Sequence, residues 1–149
     1  MHTDWNWDSL SKSICISLND NNKSAYFFDN PFTISRGTAA VRGNKPFLNG
    51  IHFFEICFKE PLYGTSIMIG LATKECCLHY ENFEYCNLIG LDSNGYGLSH
   101  KGYLWHNNES KKYCEPFFDV NTSVGCLVDM YKKKIHYFIN NEYMGVAFT

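Results

Sequence analysis

Apolar residues in this chain come in short alternating runs, and no window keeps the i, i+3, i+4 spacing of an amphipathic helix for three turns. The best place for a helix is one short turn between Lys74 and Tyr80. Strand patterns recur instead. Val124-Gly125-Cys126-Leu127-Val128-Asp129-Met130 puts Val124, Cys126, Val128 and Met130 on one side. A polar turn over Tyr131 to Lys134 follows, and Ile135-His136-Tyr137-Phe138-Ile139 runs back. Asn140-Asn141 supplies a second turn, since Asn tolerates positive φ, and Tyr143 to Phe148 opens another strand. Upstream, the turn signal Leu48-Asn49-Gly50 precedes a strand over Ile51 to Phe58, with Phe54, Ile56 and Phe58 on one face. Pro61-Leu62-Tyr63-Gly64 breaks that strand. Ile67 to Ala72 is apolar on both faces, which predicts a buried central strand. Asn87 to Leu91 reads as another short strand, and Gly95, Gly97 and Gly102 punctuate the segment beyond it. Short strands at turn spacings of about ten residues predict an all-β, antiparallel sandwich or barrel. The polar stretch Asn19 to Lys23 is a loop too short to divide domains, so residues 1–149 are expected to form one domain.

Composition narrows the functions. The 149 residues are 45% apolar, 17% aromatic and 19% charged, with a net charge of −2. That length can bury a core without metals or disulfides. No basic stripe suits nucleic acid, and Lys132-Lys133-Lys134 reads as a solvated turn. No apolar run approaches the roughly 20 residues of a membrane span, and the start lacks a signal-peptide pattern. Seven cysteines, an odd number, favour free thiols in a reducing compartment, the cytoplasm and also the nucleus. The sequons at Asn22, Asn108 and Asn121 are then inert.

Candidate chemistry is sparse. Cys76-Cys77-Leu78-His79 crowds possible metal ligands together but lacks the two spaced pairs of structural zinc, so no metal or cofactor is expected. No nucleophile elbow is present. Arg36-Gly37 and Arg42-Gly43 do not lead from a strand into a helix as a phosphate loop does. Glycan hydrolysis needs two carboxylates facing one cleft. Glu55 and Asp129 sit in expected strands, with Asp129 expected to bond a neighbouring turn; Glu81 and Glu84 read as solvated loop charges. Loops on a rigid scaffold, recognising a partner, are what remain.

An ordered set of stretches resembles the SPRY domain of the SPRY domain-containing SOCS box proteins. Trp5-Asn6-Trp7-Asp8 resembles the family's N-terminal tryptophan segment, and Gly37-Thr38-Ala39-Ala40-Val41-Arg42-Gly43 its Thr-x-x-(Ile/Val)-Arg-Gly stretch. Gly50 to Ile56, Gly64-Thr65 with Met68 to Thr73, Leu88-Ile89-Gly90, Tyr96 to Ser99 and Gly145 to Phe148 continue in order. The type-three branch is most similar, through Trp-x-Trp-Asp, Gly-Thr-Ala-Ala and Pro-x-Tyr-Gly-Thr. The resemblance implies a bent, two-sheet β-sandwich, with residues 1–13 packing on it and no catalytic residues. It also implies a shallow loop pocket for a short Asn-containing segment of a target protein. A SOCS box would then recruit Elongin B and C and a cullin, so that targets are ubiquitinated.

Position by position, the resemblance assigns Gly64, Thr65 and Tyr85 to that pocket. Where better-known members carry Arg, Pro and Ala, this chain has Pro31, Thr33 and Ser35, followed by Arg36, which points to a type-three-like target preference. For Gly64 and Tyr85 the alternatives are a tight turn and core packing. The family continues past Gly-Val-Ala-Phe into further strands that wall the pocket and into the SOCS box. The expectation is therefore a sandwich lacking its last strands, either a fragment or a variant unable to recruit the ligase. A binding or decoy domain with no ligase link, and a carbohydrate-binding sandwich, stand as alternatives.

Overall fold

The computed structural model describes residues 2–28, 37–60, 66–80 and 85–149. The described residues form antiparallel strands and no helix. In chain order these are β1 (Trp7–Lys12), β2 (Ile16–Asn19), β3 (Ser24–Phe27), β4 (Thr38–Ala39), β5 (Val41–Gly43), β6 (Ile51–Cys57) and β7 (Met68–Ala72). There follow β8 (His79–Tyr80), β9 (Gly95–Ser99), β10 (Tyr103–His106), β11 (Glu109–Lys112), β12 (Ser123–Asp129), β13 (Lys134–Ile139) and β14 (Glu142–Phe148). Two four-stranded sheets, ordered β14-β13-β12-β6 and β11-β10-β9-β7, make the body of the fold. The short pairs β1-β5, β2-β3 and β4-β8 complete it.

The β12–β13–β14 meander follows the alternation of its sequence. Val124, Cys126 and Val128 point inward and are buried, while Met130 lies past the strand end and is exposed. Asp129 closes the first turn: its carboxylate accepts the Tyr131 and Lys132 amides, each at 3.0 Å. Asn140 and Asn141 both adopt left-handed backbone, the two-residue hairpin turn whose twist matches the strands. Inward residues of both large sheets then interdigitate. Phe54 and Phe58 come from the β6 side, Val124, Cys126, Val128, Ile135 and Tyr137 from β12 and β13, and Ile69, Leu98 and Leu104 from the opposing sheet. Tyr137 is wholly buried, and its hydroxyl donates to the Ile69 carbonyl of the opposing sheet at 3.3 Å. Beside it, Tyr113 donates to the Gly145 carbonyl at 2.6 Å. Gly145, at φ +103°, lies where the β13–β14 register shifts, so the bulge needs a residue that accepts positive φ.

The N-terminal residues run along this body. Thr3 donates its amide to the Phe53 carbonyl at 2.8 Å, and Trp5 packs edge-on against both Trp7 and Phe54. A methyl group at Gly43 would stand 3.0 Å from the Trp5 ring, so the indole fills the space a side chain would take.

Three sequence expectations need correction. Lys74 to Tyr80 is not helical: Thr73 to Cys76 is a hydrogen-bonded turn, and His79–Tyr80 pairs with β4 as a strand. Asn87 to Leu91 is not a strand but a turn laid over a sheet face, which buries Leu88 and half-buries Ile89 and Leu91 without a ladder. β7 is not central: among the described residues it pairs only with β9. Its second apolar face is explained by Met68, which lies beside the covering turn at Ile89.

Burial raises the Tyr113 phenol to about 12 and Tyr137 well above the ordinary value of 10. Folded values above the unfolded one stabilise fully below about pH 10 and lose that contribution as pH rises through the folded values. Spectrophotometric titration of the folded chain should leave these two tyrosines un-ionised near pH 11, with their ionisation coinciding with alkaline unfolding. Ionisation of all ten tyrosines near pH 10 with the fold intact would contradict this.

Candidate functional site

Thr33, Ser35, Arg36, Gly64 and Thr65 lie outside the described residues, as do Pro31, Glu81 and Glu84. Tyr85 is described, and it is 59% exposed, which excludes core packing for its ring. The residues that follow it are tied down closely. The Cys86 amide donates to the Thr38 hydroxyl of β4 at 3.0 Å. The Ser66 hydroxyl donates to the Asn87 side-chain oxygen at 3.4 Å, and the buried Cys76 thiol donates to the Leu88 carbonyl at 3.6 Å. Glycines then let the turn settle on the β9–β10 surface. A methyl group at Gly97 would run into the Ile89 carbonyl oxygen, and one at Gly95 would stand 2.9 Å from the Gly90 nitrogen. The residues that follow 29–36 and 61–65 and those on either side of 81–84 therefore meet at one place, around Thr38, Ser66, Tyr80 and Tyr85–Asn87.

β4 is the fixed wall of that place. Thr38 and Ala39 pair with Tyr80 and His79, Ala40 donates its amide to Leu78, and the Ser13 amide reaches the Ala40 carbonyl. Ser13 is buried, and its hydroxyl bonds the His79 ring at Nδ1 while accepting the Cys15 amide. This Ser–His pair is a cross-link between the N-terminal segment and β8. Its oxygen is buried and already engaged, which is unlike a nucleophile awaiting substrate.

Other candidates resolve similarly. Cys76 and Cys77 send their thiols to different carbonyls, Leu88 and His79. Among the described residues, no three His, Cys, Asp or Glu side chains converge as a metal site. Burial raises the thiols of Cys76, Cys114 and Cys126, the opposite of an activated cysteine. Asp129 pairs with Ile51, and Glu55 with Gly125. The two acids are thus about 13 Å apart along the strands, beyond the roughly 5–9.5 Å of paired glycosidase carboxylates. Asn22, Asn108 and Asn121 all have left-handed backbone, so turn geometry accounts for asparagine at the three sequons.

The SPRY domain profile matches residues 51–149. This chain belongs to the SPRY domain family. It is 34% identical over 146 residues to SPRY domain-containing SOCS box protein 3 of Xenopus tropicalis, covering 98% of this chain and 39% of that protein. It is 29% identical over 144 residues to F-box/SPRY domain-containing protein 1 of Caenorhabditis elegans, covering 89% of this chain and 42% of that protein. The chain thus spans about two fifths of each relative's length. Among solved structures, the TRIM65 PSpry domain superposes with a TM-score of 0.70 at 13% identity, over 99% of this chain and 80% of that one. The stonustoxin structure gives 0.71 at 14% identity, over 99% of this chain and 24% of that one. Both show a shared fold.

Sequence reasoning missed how this SPRY domain anchors the Tyr85 segment. Thr38 and Asn87 are ordinary polar residues in the sequence, and their pairing with Cys86 and Ser66 depends on tertiary approach. His100 was missed too. The Ile67 amide donates to its Nδ1 at 2.9 Å, next to Ser66, and its ring packs on Phe118. That bond needs an unprotonated Nδ1. Burial lowers the His100 pKa below 6.5, with Lys101 adding to the effect. A lowered folded value stabilises above the unfolded pKa and is lost as pH falls through it. The urea midpoint should therefore drop between pH 7.5 and pH 5. His100→Asn, whose side-chain oxygen can accept the same amide, should show a shallower drop. Identical pH profiles for the two proteins would contradict this role.

Proposed function

We propose that this SPRY domain is a protein-interaction module that recognises a short Asn-containing segment of a target protein through the loop cluster around Tyr85. The observation that carries the reading is the exposed Tyr85 ring beside a segment anchored through the Cys86 amide, the Asn87 side chain and the Leu88 carbonyl. A rigid, two-torsion aromatic beside ordered backbone suits an extended peptide. An Asn side chain would present both donors and an acceptor to backbone and hydroxyl groups there. Thr33, Ser35, Arg36, Gly64 and Thr65 are proposed as the remaining contacts, on the family resemblance and the meeting of their flanking residues.

The names of the relatives support the wider role. One joins a SPRY domain to a SOCS box, the other to an F-box. The shared part is the SPRY domain, consistent with target recognition, while the variable part connects to different ligase machinery. We therefore read this chain as the substrate-receptor portion of a ubiquitin ligase. Elongin B/C and a cullin would be engaged through a SOCS box rather than through the SPRY residues. Free thiols at all seven cysteines support a reducing compartment, cytoplasmic or nuclear.

Peptide-phage selection on the folded domain should enrich Asn-containing segments. Tyr85→Ala should weaken the selected peptide by about 1–3 kcal/mol, the range for a lost hydrogen bond plus an interface aromatic. Unchanged affinity with intact folding would remove Tyr85 from the site.

A further inference from the structure

We propose that Thr38 is a positioning residue for target recognition, its hydroxyl holding the Cys86 amide and thereby aiming the Tyr85 ring. The proposal rests on the reading of Tyr85 as a peptide contact. Residues 85–88 belong to no strand, so side-chain bonds to neighbouring elements help to hold their backbone. The Cys86 N–H lies in the same rigid plane as the Tyr85 carbonyl, because the peptide unit between them is planar. Anchoring that N–H at 3.0 Å from Thr38 Oγ1 fixes the plane on which the Tyr85 Cα sits.

Thr38 can act as such an anchor because it is itself held. It pairs with Tyr80 across β4–β8, and the next residues are pinned from both sides, Ala39 by His79 and Ala40 by Leu78 and Ser13. Ser13 in turn is bonded to His79. The anchor is a side-chain hydroxyl rather than a backbone group, so one substitution can remove it while keeping the β-branched shape β4 prefers. Ordering the Tyr85 peptide plane before the target arrives lowers the entropy lost on binding. Losing the hydroxyl should therefore cost affinity without dismantling the sandwich.

The test uses the phage-selected peptide as probe, with Thr38→Val, Thr38→Ser, Tyr85→Ala and the Thr38→Val/Tyr85→Ala double variant. Affinity should fall roughly fivefold in Thr38→Val, the effect of one hydrogen bond, and recover in Thr38→Ser. In the Tyr85→Ala background, Thr38→Val should have no further effect, because the residue acts through Tyr85. Amide exchange should quicken at Cys86 in Thr38→Val while the β12 and β13 amides stay protected. Wild-type affinity in Thr38→Val, or an equal loss in both backgrounds, overturns the proposal. If Tyr85→Ala itself binds the peptide normally, the recognition reading fails first and takes this role with it. Tyr85-dependent binding with Thr38→Val at wild-type affinity defeats the positioning role alone.

Discussion

The close seating of the Leu88–Gly90 turn on the β9–β10 surface is the constraint on which the candidate site depends. Gly97 leaves room for the Ile89 carbonyl, and Gly95 for the Gly90 nitrogen. On the same surface, Trp105 of β10 occupies the space next to Gly90. With that turn fixed, Leu88 is buried and its carbonyl meets Cys76, so Cys86 and Tyr85 emerge beside β4. Side chains at these glycines would lift the turn and carry Tyr85 away from Thr38. The sandwich core supplies the rigid base: Leu98 and Leu104 from the same sheet point inward against Val124, Cys126 and Tyr137 of the other.

Much of this architecture could be read from the residues. β12, β13 and β14 follow directly from alternation and from Asn140-Asn141, because each local preference agrees with the tertiary arrangement. The β6 face with Phe54 and Phe58 was equally clear. Legibility failed where burial comes from a distant segment. Asn87 to Leu91 is apolar because it covers a sheet, and periodicity cannot separate that from pairing in a ladder. β7 is apolar on both faces for the related reason that Met68 lies beside the same turn. Lys74 to Tyr80 misled because its turn and its two-residue strand are both too short for any period to register.

The candidate site was suggested only by resemblance. Nothing in the spacing of Tyr85 marks it as a contact, and its exposure comes from the fold. Thr38 stood within a family-like stretch, yet its link to Cys86 joins residues far apart in sequence, which a single chain's pattern cannot display. A competing surface also exists: Phe53, Phe138 and Tyr143 form a continuous aromatic run on the outer face of the β14-β13-β12-β6 sheet, joined by the His136–Tyr143 hydrogen bond. Gly125 lies beneath the Phe53 ring there, so part of that run is explained by shielding the sheet.

On the proposed reading, partners meet the Tyr85 end of the sandwich rather than this aromatic face. Amide chemical-shift mapping during titration with the selected Asn-containing peptide tests it most directly. Shifts should concentrate at Thr38, Ser66, Tyr80 and Tyr85–Asn87. Shifts concentrated instead at Phe53, His136, Phe138 and Tyr143, with the Tyr85 region unmoved, would contradict it.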